Sequence, residues 1–281
     1  MTPPARSYLY VPGDDERKIW KALAGEADAV VIDLEDAVAP NRKEEARATA
    51  ARVLGSEPGK PVFVRVNAVG TDLFAADIDA VAAGHLAGLR LPKVESVEGV
   101  RLVAEALEGL QSGAVIQCLI ESALGLERAF EIATSHERVS GTSLGEADLA
   151  ADLGLSDEVG LLYARSRVVV ASRAAGLAPP VASVYTRVRD LEGLRRSTET
   201  AKRIGFFGRS AIHPSQVPVM NEVFTPQEHE VAEARELLGR LEDETEAGTG
   251  AFVLDDGRFV DRAVVESARL TLSLADREVA R

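Results

Sequence analysis

The chain has 281 residues, 46% hydrophobic and 27% charged, with 45 acidic against 32 basic side chains and a formal net charge of −13. This composition excludes a wholly disordered chain. The negative charge argues against a nucleic-acid surface or an anionic membrane as partner, since both need clustered Lys and Arg. The single cysteine, Cys118, excludes an internal disulfide framework and cysteine-rich metal sites, and fits a reducing cytoplasm. The opening stretch MTPPARSYLYVPG lacks the apolar core of a signal peptide. No apolar run approaches the roughly 18 residues of a membrane helix. The expectation is a soluble cytoplasmic protein.

Strand-like, β-branched runs recur in chain order at 7–11, 29–35, 61–67, 88–94, 114–121, 139–144, 180–185 and 206–212. Between them lie Ala-, Leu- and Glu-rich stretches with helical spacing, such as EEARATAARVL and GVRLVAEALEGL. Strands alternating with helices predict βαβ units and a parallel sheet. Eight units in about 210 residues predict a closed (β/α)8 TIM barrel. The alternative, an open doubly wound sheet, usually carries a glycine-rich phosphate loop after its first strand. VPGDDERK at that place is no such loop.

The division expected is a catalytic barrel over 1–221 and a C-terminal helical extension and lid over 222–281. Segment 222–246 carries nine carboxylates against two arginines, and EHEVAEARELLGRLEDE within it reads as a solvated helix. TEAGTG at 245–250 is a connector by composition. Residues 251–281 read as a short extended piece and an amphipathic helix, whose apolar face needs a partner in the barrel or in a neighbouring subunit.

In a barrel, function gathers at the C-terminal ends of the strands. The second strand ends Asp33-Leu34-Glu35-Asp36, the third carries Arg65, the fifth ends in Glu121, and the loop after the sixth holds Glu146, Asp148 and Asp152. Strand alternation puts Gln117, Leu119 and Glu121 on one face and Cys118 on the other. Cys118 then reads as a core residue rather than a catalytic thiol. Glu121 and Asp148, hard oxygen ligands without His or Cys nearby, suit Mg²⁺. They suit equally a helix cap and a surface ion pair. Arg65 reads as a carboxylate clamp, as a structural partner of Glu35 or Asp36, or as both. His85, His136 and His229 read as surface positions, with no metal spacing among them. His213, before Pro214, reads as a hydrogen-bonded structural residue or as one on the active face.

RSYLYVPGDDERKIWKAL followed by ADAVVIDLEDAVAPNRKEEAR resembles the opening of citrate lyase β-subunit-like proteins, in the malyl-CoA lyase branch of the HpcH/HpaI aldolase family. FVRVNAVGTDLFAADIDAV, GLRLPKVES, LIESALGLERAFEIA, SLGEADLAADLG, GFFGRSAIHPSQV and VLDDGRFVDRAVVESARLTL resemble later blocks of that family in the same order. Four positions depart from its usual pattern: Ser122 for a frequent Thr, Ala182 for a common Asp, Arg187 for a common acid, and Arg209 for a usual Lys.

The resemblance implies a (β/α)8 barrel, bound Mg²⁺ and a homotrimer or homohexamer. It implies cleavage or formation of a carbon–carbon bond in a β-hydroxyacyl-CoA thioester, giving a keto-acid and an acyl-CoA. Matched by position, Glu121 and Asp148 are the metal ligands and Arg65 binds the keto-acid carboxylate. Glu35 and Asp36 order metal-bound water, and Asp261 moves the proton at the thioester carbon. Arg17, Lys18, Lys21, Arg209, Ile212, His213 and Pro214 lie where CoA is met. Alternatives are a citryl-carrier-protein lyase subunit of citrate lyase, a malyl-CoA thioesterase, and a non-catalytic oligomeric scaffold.

Overall fold

The structure is a computed structural model that describes residues 4–246, 252–253, 259–260 and 262–279. The chain forms two compact units divided between Glu222 and Val223. The first unit contains strands β1 (Ser7–Pro12), β2 (Ala29–Asp33), β3 (Val62–Arg65), β4 (Leu86–Leu91), β5 (Val115–Ile120), β6 (Val139–Leu144) and β7 (Arg209–Ala211). They form one parallel sheet in the order β6-β5-β4-β3-β2-β1-β7. Between them run α1 (Glu16–Leu23), α2 (Lys43–Leu54), α3 (Asp72–Val81), α4 (Val97–Gly109), α5 (Ala123–Glu127), α6 (Ala129–Ala133), α7 (Glu146–Asp152), α8 (Leu162–Ala174) and α9 (Leu191–Arg203). Helix α10 (Val217–Phe224) follows β7. Polar side chains start several of the helices: Asp15, Ser96, Ser122 and Asp190 each accept a backbone N–H from the first turn.

The sheet is curled. Arg90 of β4 hydrogen-bonds both the Tyr10 hydroxyl of β1 and Ser210 Oγ of β7, so side chains from distant strands meet inside the curve. Alternation sorts each strand. Val30, Ile32, Val64, Leu89, Cys118 and Ile120 join the large apolar layer shared with the helices, whereas Tyr8, Val31 and Phe63 form a smaller cluster on the concave side. Each fully buried aliphatic side chain stabilises the fold by about 1.5–3 kcal/mol.

The expected strand at 180–185 is not a strand. Only two isolated parallel bridges occur there, Val181 to Ser143 of β6 and Ala182 to Arg209 of β7. Pro179 and Pro180 bring no N–H to a ladder. The Ser183 hydroxyl then takes up backbone groups itself, donating to Leu144 O and accepting from Glu146 N. The last strand is likewise shorter than the expected 206–212, because Gly208 turns with φ +80° just before it. A Cβ on Gly208 would collide with Ala5 O.

The second unit contains α11 (Glu228–Glu246), the antiparallel pair β8 (Phe252–Val253) and β9 (Phe259–Val260), and α12 (Arg262–Val279). Ala234 and Leu237 of α11 pack with Val260, Val265 and Ala268. This corrects two expectations. The acidic helix is not solvated all round, and the amphipathic α12 finds its partner in α11. The physical reason is that α11 carries its own apolar stripe (Ala234, Leu237, Leu238, Leu241) beneath the carboxylates. Residues 247–250 of the expected connector lie outside the described residues. Among the described residues no helix is long and apolar enough to cross a membrane.

Candidate active site

The C-terminal ends of the strands surround a cavity of about 620 Å³, lined among others by Tyr10, Arg65, Arg90, Glu121, Asp148 and Ser210. Strands β3, β4 and β5 set Arg65, Arg90 and Gln117 side by side, because consecutive parallel strands are neighbours in the sheet, and Glu121 follows just past the end of β5.

Arg65 is held by acids on one side. Its Nε and Nη2 donate to Asp33 Oδ1 and Oδ2 at 2.8 and 2.6 Å. Its Nη1 lies 3.0 Å from Glu35 Oε2 and 3.3 Å from Asp36 Oδ2. The guanidinium also stands 5.4 Å from the centre of the Tyr10 ring. Burial opposes its charge, but the bonds to Asp33 outweigh burial and hold its pKa above the ordinary arginine value. Both structural partners expected from the sequence are present, and Asp33 is the principal one.

Glu35 is buried and accepts from Lys93 Nζ through Oε1. Its Oε2 has an ion-pair neighbour in Arg65 but no hydrogen-bond donor with good geometry. Burial raises the Glu35 pKa, against the opposing pull of Arg65 and Lys93. Asp36 is exposed at the rim.

Glu121 follows β5 directly and is 6% exposed. Its Oε2 accepts the backbone N–H of Lys93 at 2.8 Å. Lys93 adopts φ 54°, an uncommon conformation for a side-chain-bearing residue, and this aims its N–H at the carboxylate. Gly145 stands against the same carboxylate, and a Cβ there would collide with Glu121 Oε1. Burial pushes the Glu121 pKa up to about 7, with the nearby charges of Glu35 and Asp148 acting in the same direction. Asp148 lies in the first turn of α7, exposed and facing the same cavity. Neither Glu121 nor Asp148 forms an ion pair with a described residue.

Arg90 is the residue that sequence reasoning missed. It is 1% exposed. Its Nε donates to Gln117 Oε1, and its Nη1 to Tyr10 and Ser210, at 3.0–3.1 Å. The guanidinium stacks 4.4 Å from the Tyr8 ring centre, and Nη2 has no partner. It pairs with no carboxylate among the described residues. The signal was present in the sequence: a charge inside the β-branched run GLRLPKV, of the same kind that singled out Arg65. Asp33 was named only as part of a strand end, without a role, and Lys93 was missed as well.

The remaining candidates divide between this cavity and other places. Ile212 lines the cavity. Exposed His213 caps the turn before α10, its Nδ1 accepting Ser215 N–H at 3.2 Å, in line with the structural reading; Pro214 opens that turn. Arg17 and Lys21 are exposed on α1, and Lys18 pairs with Asp15 at 3.0 Å in a separate polar depression. Arg209 points away from the cavity towards α9. Cys118 is fully buried, with its thiol pushed up to about 12 by burial, which removes it as a nucleophile. Asp261 lies outside the described residues.

Residues 6–214 match the family described as HpcH/HpaI aldolase/citrate lyase. The chain belongs to this family. Its relatives include a (3S)-malyl-CoA thioesterase of Cereibacter sphaeroides, 36% identical over 97% of this chain and 95% of the relative. The citrate lyase subunit beta of Leuconostoc mesenteroides subsp. cremoris is 33% identical over 96% of this chain and 93% of that one. Among solved structures, the protein CitE of Mycobacterium tuberculosis in complex with magnesium, acetoacetate and coenzyme A is similar at a TM-score of 0.80 and 31% identity, covering 98% of this chain and 99% of that one. The family thus includes lyases and thioesterases built on this α/β fold.

Proposed function

We propose that the protein is a Mg²⁺-dependent carbon–carbon lyase that cleaves or forms a β-hydroxyacyl-CoA thioester, with a keto-acid and an acyl-CoA as the two fragments. The observation that carries this reading is the juxtaposition of Glu121 and Asp148 on one cavity with no cation of the described residues paired to either. Among the described residues no three Asp, Glu, His or Cys side chains converge as a closed metal site. The donor set nevertheless fits Mg²⁺, which keeps several waters and takes one or two carboxylates. The unsatisfied Glu35 Oε2 is suited to accept from such a water.

Glu121 and Asp148 would hold the ion, which supplies a Lewis acid for the oxygens of the acid fragment. Arg65, braced by Asp33, provides positive charge that is already oriented before substrate enters. Arg90 gives the cavity a guanidinium that no carboxylate of the described residues neutralises, so it is the residue we assign to a substrate carboxylate. Leu119 and Leu144 on the cavity wall favour exclusion of water from the reacting carbon. The family resemblance assigns proton transfer at the thioester carbon to Asp261. In this reading Val181 and Ala182 take the eighth strand position of a (β/α)8 barrel, the second unit is a C-terminal extension, and the protein works as a homo-oligomer.

The test is to incubate protein and Mg²⁺ with a panel of β-hydroxyacyl-CoA esters and identify the products. A keto-acid plus an acyl-CoA supports the lyase. Free CoA plus the intact hydroxy acid makes it a thioesterase. Cleavage of a carrier-protein ester alone makes it a citrate lyase subunit.

A further inference from the structure

A second cavity, of about 290 Å³, lies between the Ala182–Arg209 bridge and α9. Its lining includes Arg165, Ala182, Arg196, Ser197, Thr200 and Arg209. The space is far larger than the roughly 10–15 Å³ one water requires.

Arg209 is 4% exposed and forms no ion pair among the described residues. Its Nη1 donates to Ser197 Oγ at 3.1 Å and Thr198 Oγ1 at 3.2 Å. Its Nε is buried without any partner. Burial lowers its pKa to about 10, and the charges of Glu146 and Glu158 offset that cost only in part.

The acids nearby are committed. Glu146 lines the same cavity but is bound by Arg165 through two bonds of 2.8 and 2.6 Å. Glu158 is exposed and 3.9 Å from Arg165. Arg196, exposed on α9, also lines the cavity and also forms no ion pair among the described residues. At Ala182, the bridge partner of Arg209, the side chain is a methyl group. Two guanidinium groups therefore share one chamber, and neither forms an ion pair with an acid among the described residues.

We propose that this cavity binds a small oxyanion of the phosphate class, with Arg209 at its floor and Arg196 at its mouth. A guanidinium fork matches two oxygens of such an anion. The Ser197 hydroxyl, which accepts from Arg209, keeps its own proton to donate to a third. The chamber is distinct from the cavity of Glu121 and Asp148, although Glu146 and Glu158 line both.

The experiment is calorimetric titration of the full chain with inorganic phosphate, at fixed ionic strength set by sodium chloride, with CoA titrated in parallel. Wild-type protein is expected to bind phosphate at one site. Ala182→Asp, which gives Arg209 an internal carboxylate, should weaken that binding at least tenfold and leave CoA affinity unchanged. Arg196→Ala, an exposed change that spares the core, should weaken it several-fold. No phosphate binding by the wild type, or equal binding by both variants, would overturn the proposal. A parallel loss of CoA affinity in Ala182→Asp would overturn it too, by making the chamber part of the CoA site.

Discussion

The backbone N–H of Lys93 is bonded to Glu121 while the Lys93 side chain is bonded to Glu35, so one residue ties two buried carboxylates together. The two acids come from the ends of β2 and β5, and the link works because Lys93 takes φ 54°. It orients both carboxylates but leaves Glu121 short of positive charge.

Replacing Glu121 separates its functional from its structural cost. Glu121→Gln is expected to reduce Mg²⁺ affinity and turnover by about a hundredfold, in line with losses seen when a metal-site group is removed. Without Mg²⁺ at pH 8 the same variant should melt higher than wild type, because a charge that burial disfavours is gone. A lower melting temperature at that pH would show that Glu121 is needed for folding.

The pH dependence follows from the same group. A carboxyl raised from 4.5 to about 7 favours the folded state most when it is protonated. Its contribution is therefore greatest near and below pH 4.5 and is lost as pH rises to about 7, to the extent of roughly 3 kcal/mol. Glu35, also raised, acts in the same direction. The melting-temperature difference between Glu121→Gln and wild type, both free of Mg²⁺, should grow between pH 5 and pH 8. Saturating Mg²⁺ should abolish the growth, because the ion takes the place of the proton.

Arg90→Met keeps the length of the side chain and its stacking on Tyr8 while removing the charge. We expect KM for the keto-acid fragment, followed in the condensation direction, to rise about tenfold to a hundredfold, equivalent to the roughly 1.5–3 kcal/mol of a hydrogen bond to a charged group. The turnover number should change less. An unaltered KM would make Arg90 a structural residue of the concave face of the sheet.

Gly145→Ala tests how tightly Glu121 is confined. The added methyl collides with the carboxylate, which must move from its bond to Lys93. Mg²⁺ affinity, measured by calorimetry, should fall tenfold or more, with the fold retained by circular dichroism. Unchanged affinity would mean that the observed Glu121 rotamer is not the one that binds metal.

The sequence by itself determined the order of strands and helices, since period-2 and period-3.6 patterns are local and alternate along residues 7–212. It determined the inward or outward sense of each strand residue, which is why Cys118 falls in the helix-facing core and Gln117 and Leu119 do not. It nominated Arg65, Glu121 and Asp148, because charges at strand ends stand out against apolar runs. Only the tertiary structure decided which charges are neutralised. Arg65 is matched by Asp33, whereas Arg90 and Arg209 have no carboxylate partner among the described residues, and nothing in their immediate sequence distinguishes the three. It also decided that α12 packs on α11, and that 180–185 bridges two edges without forming a strand. The physical reason is common to all of these. Charge compensation and face-to-face packing depend on distances between residues far apart in the chain, whereas helix and strand periodicity depends on neighbours alone.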